Sequence, residues 1–314
     1  MKASLKVLCL LFSLSLLTGF TACRNAFDDE PTETIQQYIA RNRPMITAHR
    51  GYAEAAPENT ISAFRAALNA GADAAEFDVH RTKDGVLVVM HDDKVDRTTN
   101  GTGNIASLTY EYISQLDAGS WKGDEFSGEK VPTLHETLTF FHKNNLVAVL
   151  EIKVEDTVDE ILQMLDETRM NNRTVIIGFS EKAIARVAIE RPEIPSFLLL
   201  LPKYSDGTTE QKVDRITKKA DEVGTKAVGP FAFKPEILAD PATLVKFQNN
   251  SDLGDVEFPL AFDDETISAL QEKGYMIDVW TVDNEENIKA LINSGVDFLT
   301  TNELGLALRL KKGR

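Results

Sequence analysis

Two carboxylates, Glu76 and Asp78, lie two residues apart in the apolar run Ala74-Ala75-Glu76-Phe77-Asp78-Val79. Side chains two apart in a strand share a face, so these two project together while Phe77 points to the other layer. The run Val147-Ala148-Val149-Leu150-Glu151-Ile152-Lys153 places Glu151 and Lys153 on one face near a strand end. Carboxylates on an apolar strand are costly unless something positive sits between them. Three such oxygen donors suit a hard cation, Mg²⁺ or Ca²⁺. The competing reading is structural salt bridging among Glu76, Glu151, Lys153 and Arg50.

Two histidines are placed similarly. His49 ends the run Ile46-Thr47-Ala48-His49-Arg50-Gly51, and Gly51 lets the chain turn just after Arg50. His91 ends the run Val86 to Met90 and precedes Asp92. Imidazole gives or takes a proton near neutral pH, so a pair suits general acid–base work. A lone strand-end histidine is more often structural, but a pair beside three carboxylates shifts the balance toward chemistry. His135 and His142 read as helix-surface residues and His80 as a loop residue. Glu58 and Asn59 read as helix-start residues, with Asn59 as the N-cap.

These groups need elements to position them. Apolar or β-branched runs recur at Met45–Ala48, Ala74–Val79, Leu146–Ile152, Thr174–Phe179, Ser196–Leu201, Lys226–Val228, Tyr275–Thr281 and Val296–Thr300. Amphipathic stretches lie between most of them. In Ile61–Ala70, residues Ile61, Phe64, Ala67 and Leu68 fall at helical spacing, with Gly71 as a stop. Capping boxes are expected at Thr133 with Glu136 and at Asp283 with Glu286. Alternating strands and helices imply parallel strands, and eight strands suit a closed TIM (β/α)₈ barrel better than an open sheet. In such a barrel all of these chemical groups meet at the C-terminal mouth. Two regions break the rhythm: polar, Gly-rich residues 94–131 after the second strand region, and a long irregular connection from Phe231 to Phe262.

The 314 residues fit one such barrel, and 43% hydrophobic with 26% charged residues is ordinary for a globular chain. That composition excludes a polytopic membrane protein and a disordered chain. A net charge of −15 argues against a nucleic-acid binder. Residues 1–22 read as an export signal: Lys2 and Lys6 precede an apolar run from Val7 to Leu17, too short to span a bilayer comfortably. Leu17-Thr18-Gly19-Phe20-Thr21-Ala22-Cys23 resembles the lipobox of bacterial lipoproteins, with Phe20 departing from the usual aliphatic residue. The resemblance implies cleavage before Cys23, its lipidation, and a chain exported and anchored to a membrane, on the periplasmic side or the cell surface. The other reading is an ordinary secretory signal. Cleavage would remove Cys9 and, with Cys23 lipidated, leave no free thiol, which excludes cysteine catalysis. It would also remove two lysines and no acids, taking the charge to −17. Residues 23–44 read as a tether with a short helix near Glu33 to Arg43, and residues 45–314 as the barrel.

The segments His49-Arg50-Gly51, Ala56-Pro57-Glu58-Asn59-Thr60, Glu76-Phe77-Asp78-Val79, Thr82-Lys83-Asp84-Gly85, His91-Asp92, Arg97-Thr98-Thr99, Pro132-Thr133-Leu134, Leu150-Glu151-Ile152-Lys153 and Val279-Trp280-Thr281-Val282 resemble the glycerophosphodiester phosphodiesterases. They occur in that family's order and span nearly the whole mature domain. The resemblance implies a TIM barrel with an insertion after the second strand, matched by residues 94–131. It also implies metal carboxylates at Glu76, Asp78 and Glu151, with histidines His49 and His91 as proton-transfer groups. Arg50 and Lys153 fall at phosphate-contacting positions, and Trp280 at the aromatic platform for the glycerol moiety. The long connection from Phe231 departs from compact members. The expected activity is metal-dependent release of glycerol 3-phosphate and an alcohol from a small glycerophosphodiester. A phospholipase D-like activity on lysophospholipids and a non-catalytic binding lipoprotein are the alternatives. No matched catalytic position is missing, which disfavours the last.

Overall fold

The computed structural model describes residues 33–232 and 260–313. The Cys23 segment and most of the Phe231–Phe262 connection lie outside the described residues.

The strands are β1 (Met45–Ala48), β2 (Ala74–Arg81), β3 (Leu87–Val89), β4 (Val147–Ile152), β5 (Thr174–Gly178), β6 (Ser196–Leu200), β7 (Ala227–Pro230), β8 (Met276–Val279) and β9 (Phe298–Thr301). All but β3 pair in parallel, in the order β1-β9-β8-β7-β6-β5-β4-β2, and β1 pairs with β2 to close the ring. This is the expected eight-stranded barrel, and each predicted strand run forms one barrel strand. The described helices are α1 (Ile35–Asn42), α2 (Ile61–Ala70), α3 (Tyr110–Ile113), α4 (Leu134–Asn144), α5 (Val158–Thr168), α6 (Glu181–Glu190), α7 (Thr209–Val223), α8 (Asp264–Glu272), α9 (Glu285–Ser294) and α10 (Leu304–Lys312). None of them is long and apolar enough to cross a membrane.

Period-two alternation in the strands separates two cores. Outward residues such as Phe77, Leu150 and Val279 pack under the helices. Phe77 sits edge-on to Phe64 of α2 and Phe141 of α4, with ring centroids 5.8 and 5.3 Å away. Inward residues Met45, Ala74, Val147, Val149, Phe197 and Phe298 fill the lower barrel, and Ile35 and Ile39 of α1 close its floor. Helix α1 thus belongs to the barrel, held at its start by a Thr34–Gln37 capping box. The insertion carries a small core of its own, in which Val95, Ile105, Ile113, Leu116 and Val131 pack against Val88 of β3.

Local chemistry explains the helix ends and three departures from expectation. Gly71, at φ +89°, ends α2, and Thr133 with Glu136 forms the box that starts α4. The cap of α2, however, is Thr60, whose hydroxyl accepts from Ala63 N at 3.3 Å. Asn59 is drawn away by a long-range partner described below. At α9 the cap is Asn284, which accepts from the Glu286 and Asn287 amides. Asp283 instead accepts from Thr301 and Asn302 across the barrel wall, so no Asp283–Glu286 box forms. His80 is a strand residue and not a loop residue, because β2 runs on to Arg81 and pairs antiparallel with β3. The turn between them is stabilised by a Thr82–Asp84 side-chain hydrogen bond and by Gly85 at φ +88°.

Candidate active site

The turn after β1 sets the first half of the site. Arg50 and Gly51 are both left-handed, at φ 57° and 77°. A Cβ on Gly51 would lie 2.7 Å from the Ala63 Cβ, so the turn requires glycine in both conformation and space. This turn aims the Arg50 amide at Glu76 Oε2 (2.8 Å) and leaves His49 at the mouth, its Nε2 4.0 Å from the same oxygen.

Strands β2 and β4 set the second half. Asp78 is in register with Glu151, and Glu76, two residues before Asp78, shares its face, so all three point inward together. One oxygen from each lies within 4.8 Å of the others, and all three side chains are buried. Lys153 reaches Glu151 Oε1 at 3.0 Å and Asp78 Oδ1 at 3.1 Å. The Asp78 contact is an ion pair without hydrogen-bond alignment, and Glu76 Oε1 has no hydrogen-bond partner among the described residues. Burial, then Asp78 and Glu151, raises the Glu76 carboxyl well above the usual carboxylate range. Burial also raises Glu151, with Asp78 adding to it against Lys153. Burial pushes Asp78 the same way but is outweighed by Lys153, His91 and Arg50, which hold it low. Structural salt bridging therefore does not account for the cluster: the Arg50 guanidinium goes to Glu58 instead (3.0 Å), and one buried carboxylate oxygen is left orphaned. These three residues fit a hard divalent cation, which would supply the missing charge.

The two histidines are anchored differently. His49 Nδ1 faces Asn302 Oδ1 at 2.8 Å. Burial, then Arg50, lowers its pKa to about 3, so the ring is neutral. His91 Nδ1 faces Asp92 Oδ1 at 2.8 Å. Arg97 holds Asp92 through Nε (2.8 Å), grips Glu58 with both terminal nitrogens (2.8 Å each), and Glu58 pairs with Arg50. An unbroken charged chain thus links Arg50 to His91. Burial works against ionising Glu58, but Arg97 and Arg50 overcome it and keep its carboxyl low. Asn59, held left-handed at φ 58°, donates to Asp78 Oδ2 at 2.8 Å.

Every site residue inferred from the sequence, apart from Cys23, lies at this mouth. Trp280 forms its far wall: its indole N–H donates to Gly229 O at 2.7 Å, and its ring stands between Phe179 and Phe231, 5.6 and 5.2 Å away. Beside the carboxylates opens a cavity of about 950 Å³, lined by His80, His91, Arg97, Lys153, Glu155 and Phe179 among others. His135 and His142 lie exposed on α4, far from any such setting. Sequence reading missed Asn59, Glu58, Arg97 and Asn302 as parts of the site. For Glu58, Asn59 and Arg97 the available signal was their place in shared motif segments.

A parallel barrel with buried carboxylates, two basic side chains and two histidines at its C-terminal mouth suits a metal-assisted hydrolase of an anionic substrate such as a phosphodiester. Residues 49–306 match the Glycerophosphoryl diester phosphodiesterase family, and the chain belongs to that family. It is 30% identical over 268 residues to a glycerophosphodiester phosphodiesterase of Caldanaerobacter subterraneus, covering 83% of this chain and 95% of that one. A glycerophosphodiester phosphodiesterase of Bacillus subtilis is 31% identical over 293 residues, 88% of this chain and 89% of that one. Among solved structures, the enzyme of Agrobacterium tumefaciens superposes with TM-score 0.62 at 26% identity, covering 84% of this chain and 98% of that one. A phosphodiesterase of Oleispira antarctica in complex with sn-glycerol-3-phosphate shares the fold with TM-score 0.68 at 23% identity, covering 89% and 100% of the two chains.

Proposed function

We propose that this protein hydrolyses glycerophosphodiesters to glycerol 3-phosphate and an alcohol, using one divalent cation and paired histidines. The observation that carries the reading is the buried cluster of Glu76, Asp78 and Glu151 within 4.8 Å, flanked by His49 and His91. A phosphodiester carries one negative charge, and attack on phosphorus puts more onto its oxygens. Mg²⁺ or Ca²⁺ held by the three carboxylates would supply Lewis-acid stabilisation of that charge. Arg50 and Lys153 add fixed positive charge at the same place. His49 and His91 move protons, one from the attacking oxygen and one to the leaving alkoxide. Their Nδ1 atoms are engaged by Asn302 and Asp92, which leaves both Nε2 atoms for this work. Trp280 and Phe179 offer apolar faces for the carbon skeleton. The test is release of glycerol 3-phosphate from glycerophosphocholine. The expected result is turnover with Mg²⁺ or Ca²⁺ and none with chelator. Full turnover in metal-free buffer would remove the metal from the reading.

The lipobox-like segment ending at Cys23 supports a separate part of the proposal, that the protein is an exported lipoprotein anchored through Cys23. Lipid chains contribute about 0.8 kcal/mol per buried CH₂, so several chains anchor stably where one does not. An anchor preceding α1 would join the barrel at its floor, opposite the mouth. In a bacterial host the wild type should follow the membrane fraction and Cys23→Ser should not. Equal recovery of both in the soluble fraction would make Cys23 only the end of an ordinary signal.

A further inference from the structure

We propose that Asp283 and Asn302 are positioning residues that hold His49 with its proton on Nδ1, leaving the Nε2 lone pair to face the carboxylate cluster. An asparagine can turn either its oxygen or its NH₂ toward a ring nitrogen. Here the other side of the amide decides. Asn302 Nδ2 donates to Asp283 Oδ2 at 2.8 Å. Asp283 Oδ1 accepts from the Asn302 amide at 2.8 Å and from the Thr301 hydroxyl at 3.0 Å, which fixes the carboxylate itself. Flipping the amide would set its oxygen against the carboxylate, two acceptors with no proton between them. Asp283 therefore turns Asn302 Oδ1 to His49, and Nδ1 must be the donor across that 2.8 Å contact. In the neutral ring Nε2 is then the acceptor, 4.0 Å from Glu76 Oε2. Because Asn284 caps α9, the Asp283 carboxylate is free for this task. The arrangement contrasts with His91, whose Nδ1 meets the carboxylate of Asp92 directly.

The inference rests on the reading of His49 as a proton-transfer group. Long-range ¹H–¹⁵N spectra of the full mature chain, labelled at histidine, test it. The His49 signals are identified by their loss in His49→Gln. The wild type should show the Nδ1–H form alone. Asp283→Asn removes the bias, so both tautomers should appear, and kcat should fall roughly tenfold to a hundredfold with KM nearly unchanged. Lys289→Ala, on the exposed face of α9, is the control. It should keep the single tautomer and a kcat within about twofold of wild type, as an exposed ion pair warrants. An Nε2–H form in the wild type overturns the proposal, as does an Asp283→Asn protein that keeps the wild-type tautomer while losing activity no more than Lys289→Ala. Should Asp283→Asn not fold, Asn302→Ala gives the same readings. Full activity in His49→Gln would sink the proton-transfer reading and leave the tautomer result to stand or fall separately.

Discussion

The floor and the mouth of the barrel are built from the same strands to opposite ends. At the floor, Ala74, Val147 and Val149 meet Phe197 and Phe298, whose rings stand edge-on at 5.7 Å, and α1 seals them with Ile35 and Ile39. These side chains are apolar and buried, the arrangement that contributes most to stability. A few residues further along β2 and β4, Glu76, Asp78 and Glu151 bring three carboxylates together beside Arg50 and Lys153, with Glu76 Oε1 lacking a hydrogen-bond partner among the described residues. That grouping opposes folding and is useful only to a ligand of opposite charge. The comparison teaches that stability and chemistry are separated along the barrel axis, by side-chain type alone, on shared backbone.

The comparison breaks first at the carboxylates. Glu76→Gln should lower turnover by about 10²–10³-fold, the scale of losing a charge-stabilising group. In metal-free buffer the same protein should melt no lower than wild type, because a repelled, buried carboxylate has gone. Loss of activity together with a large fall in Tm would make Glu76 structural.

Next come the histidines. His49→Ala and His91→Ala should each lower kcat by roughly 10²–10⁴-fold with smaller changes in KM. His135→Ala and His142→Ala, on the exposed face of α4, should leave it near wild type. Steady-state kinetics on glycerophosphocholine checks all four, and damage from either α4 substitution equal to that of His49→Ala would undo the pairing.

The floor should answer in stability instead. Ile39→Ala leaves a cavity under the barrel and should cost about 2–5 kcal/mol in denaturant melts. Turnover per folded molecule at low temperature should hold. A tenfold fall in kcat without unfolding would show that floor and mouth are coupled.

The smallest effect sharpens the boundary between them. Asp278 of β8 lies inside the barrel, hydrogen-bonded to Thr300 Oγ1 at 3.0 Å. Burial pushes its carboxyl up to about 7. A raised native pKa gives stability that is present below the unfolded value and lost as pH rises through the native one. Wild type should therefore weaken relative to Asp278→Asn as pH rises from about 4 toward 7. Parallel melts across that range that never diverge would mean that Asp278 is charged without penalty.

Much of this was written locally. The pairing of Glu76 with Asp78 and of Glu151 with Lys153 follows from the two-residue period of a strand, which needs no tertiary information. The eight strand runs and the Gly71 stop of α2 are equally local, and so is the Thr133–Glu136 box. Where two local readings competed, the fold chose between them. Asn59 and Asp283 each had the chemistry of a helix cap, but Thr60 and Asn284 took those places. Their carboxylate and amide groups found stronger partners across the barrel.

The sequence by itself determined the alternation that makes a barrel, the residues turned inward, and the kinds of chemistry available at the strand ends. Only the tertiary structure decided which groups hold which. Asn59 meets Asp78 across 19 residues, Arg97 meets Glu58 across 39, and Asn302 meets His49 across 253. Periodicity carries no information over such separations. Contact there depends on barrel closure, in which β9 pairs with β1 and brings the two ends of the described chain side by side.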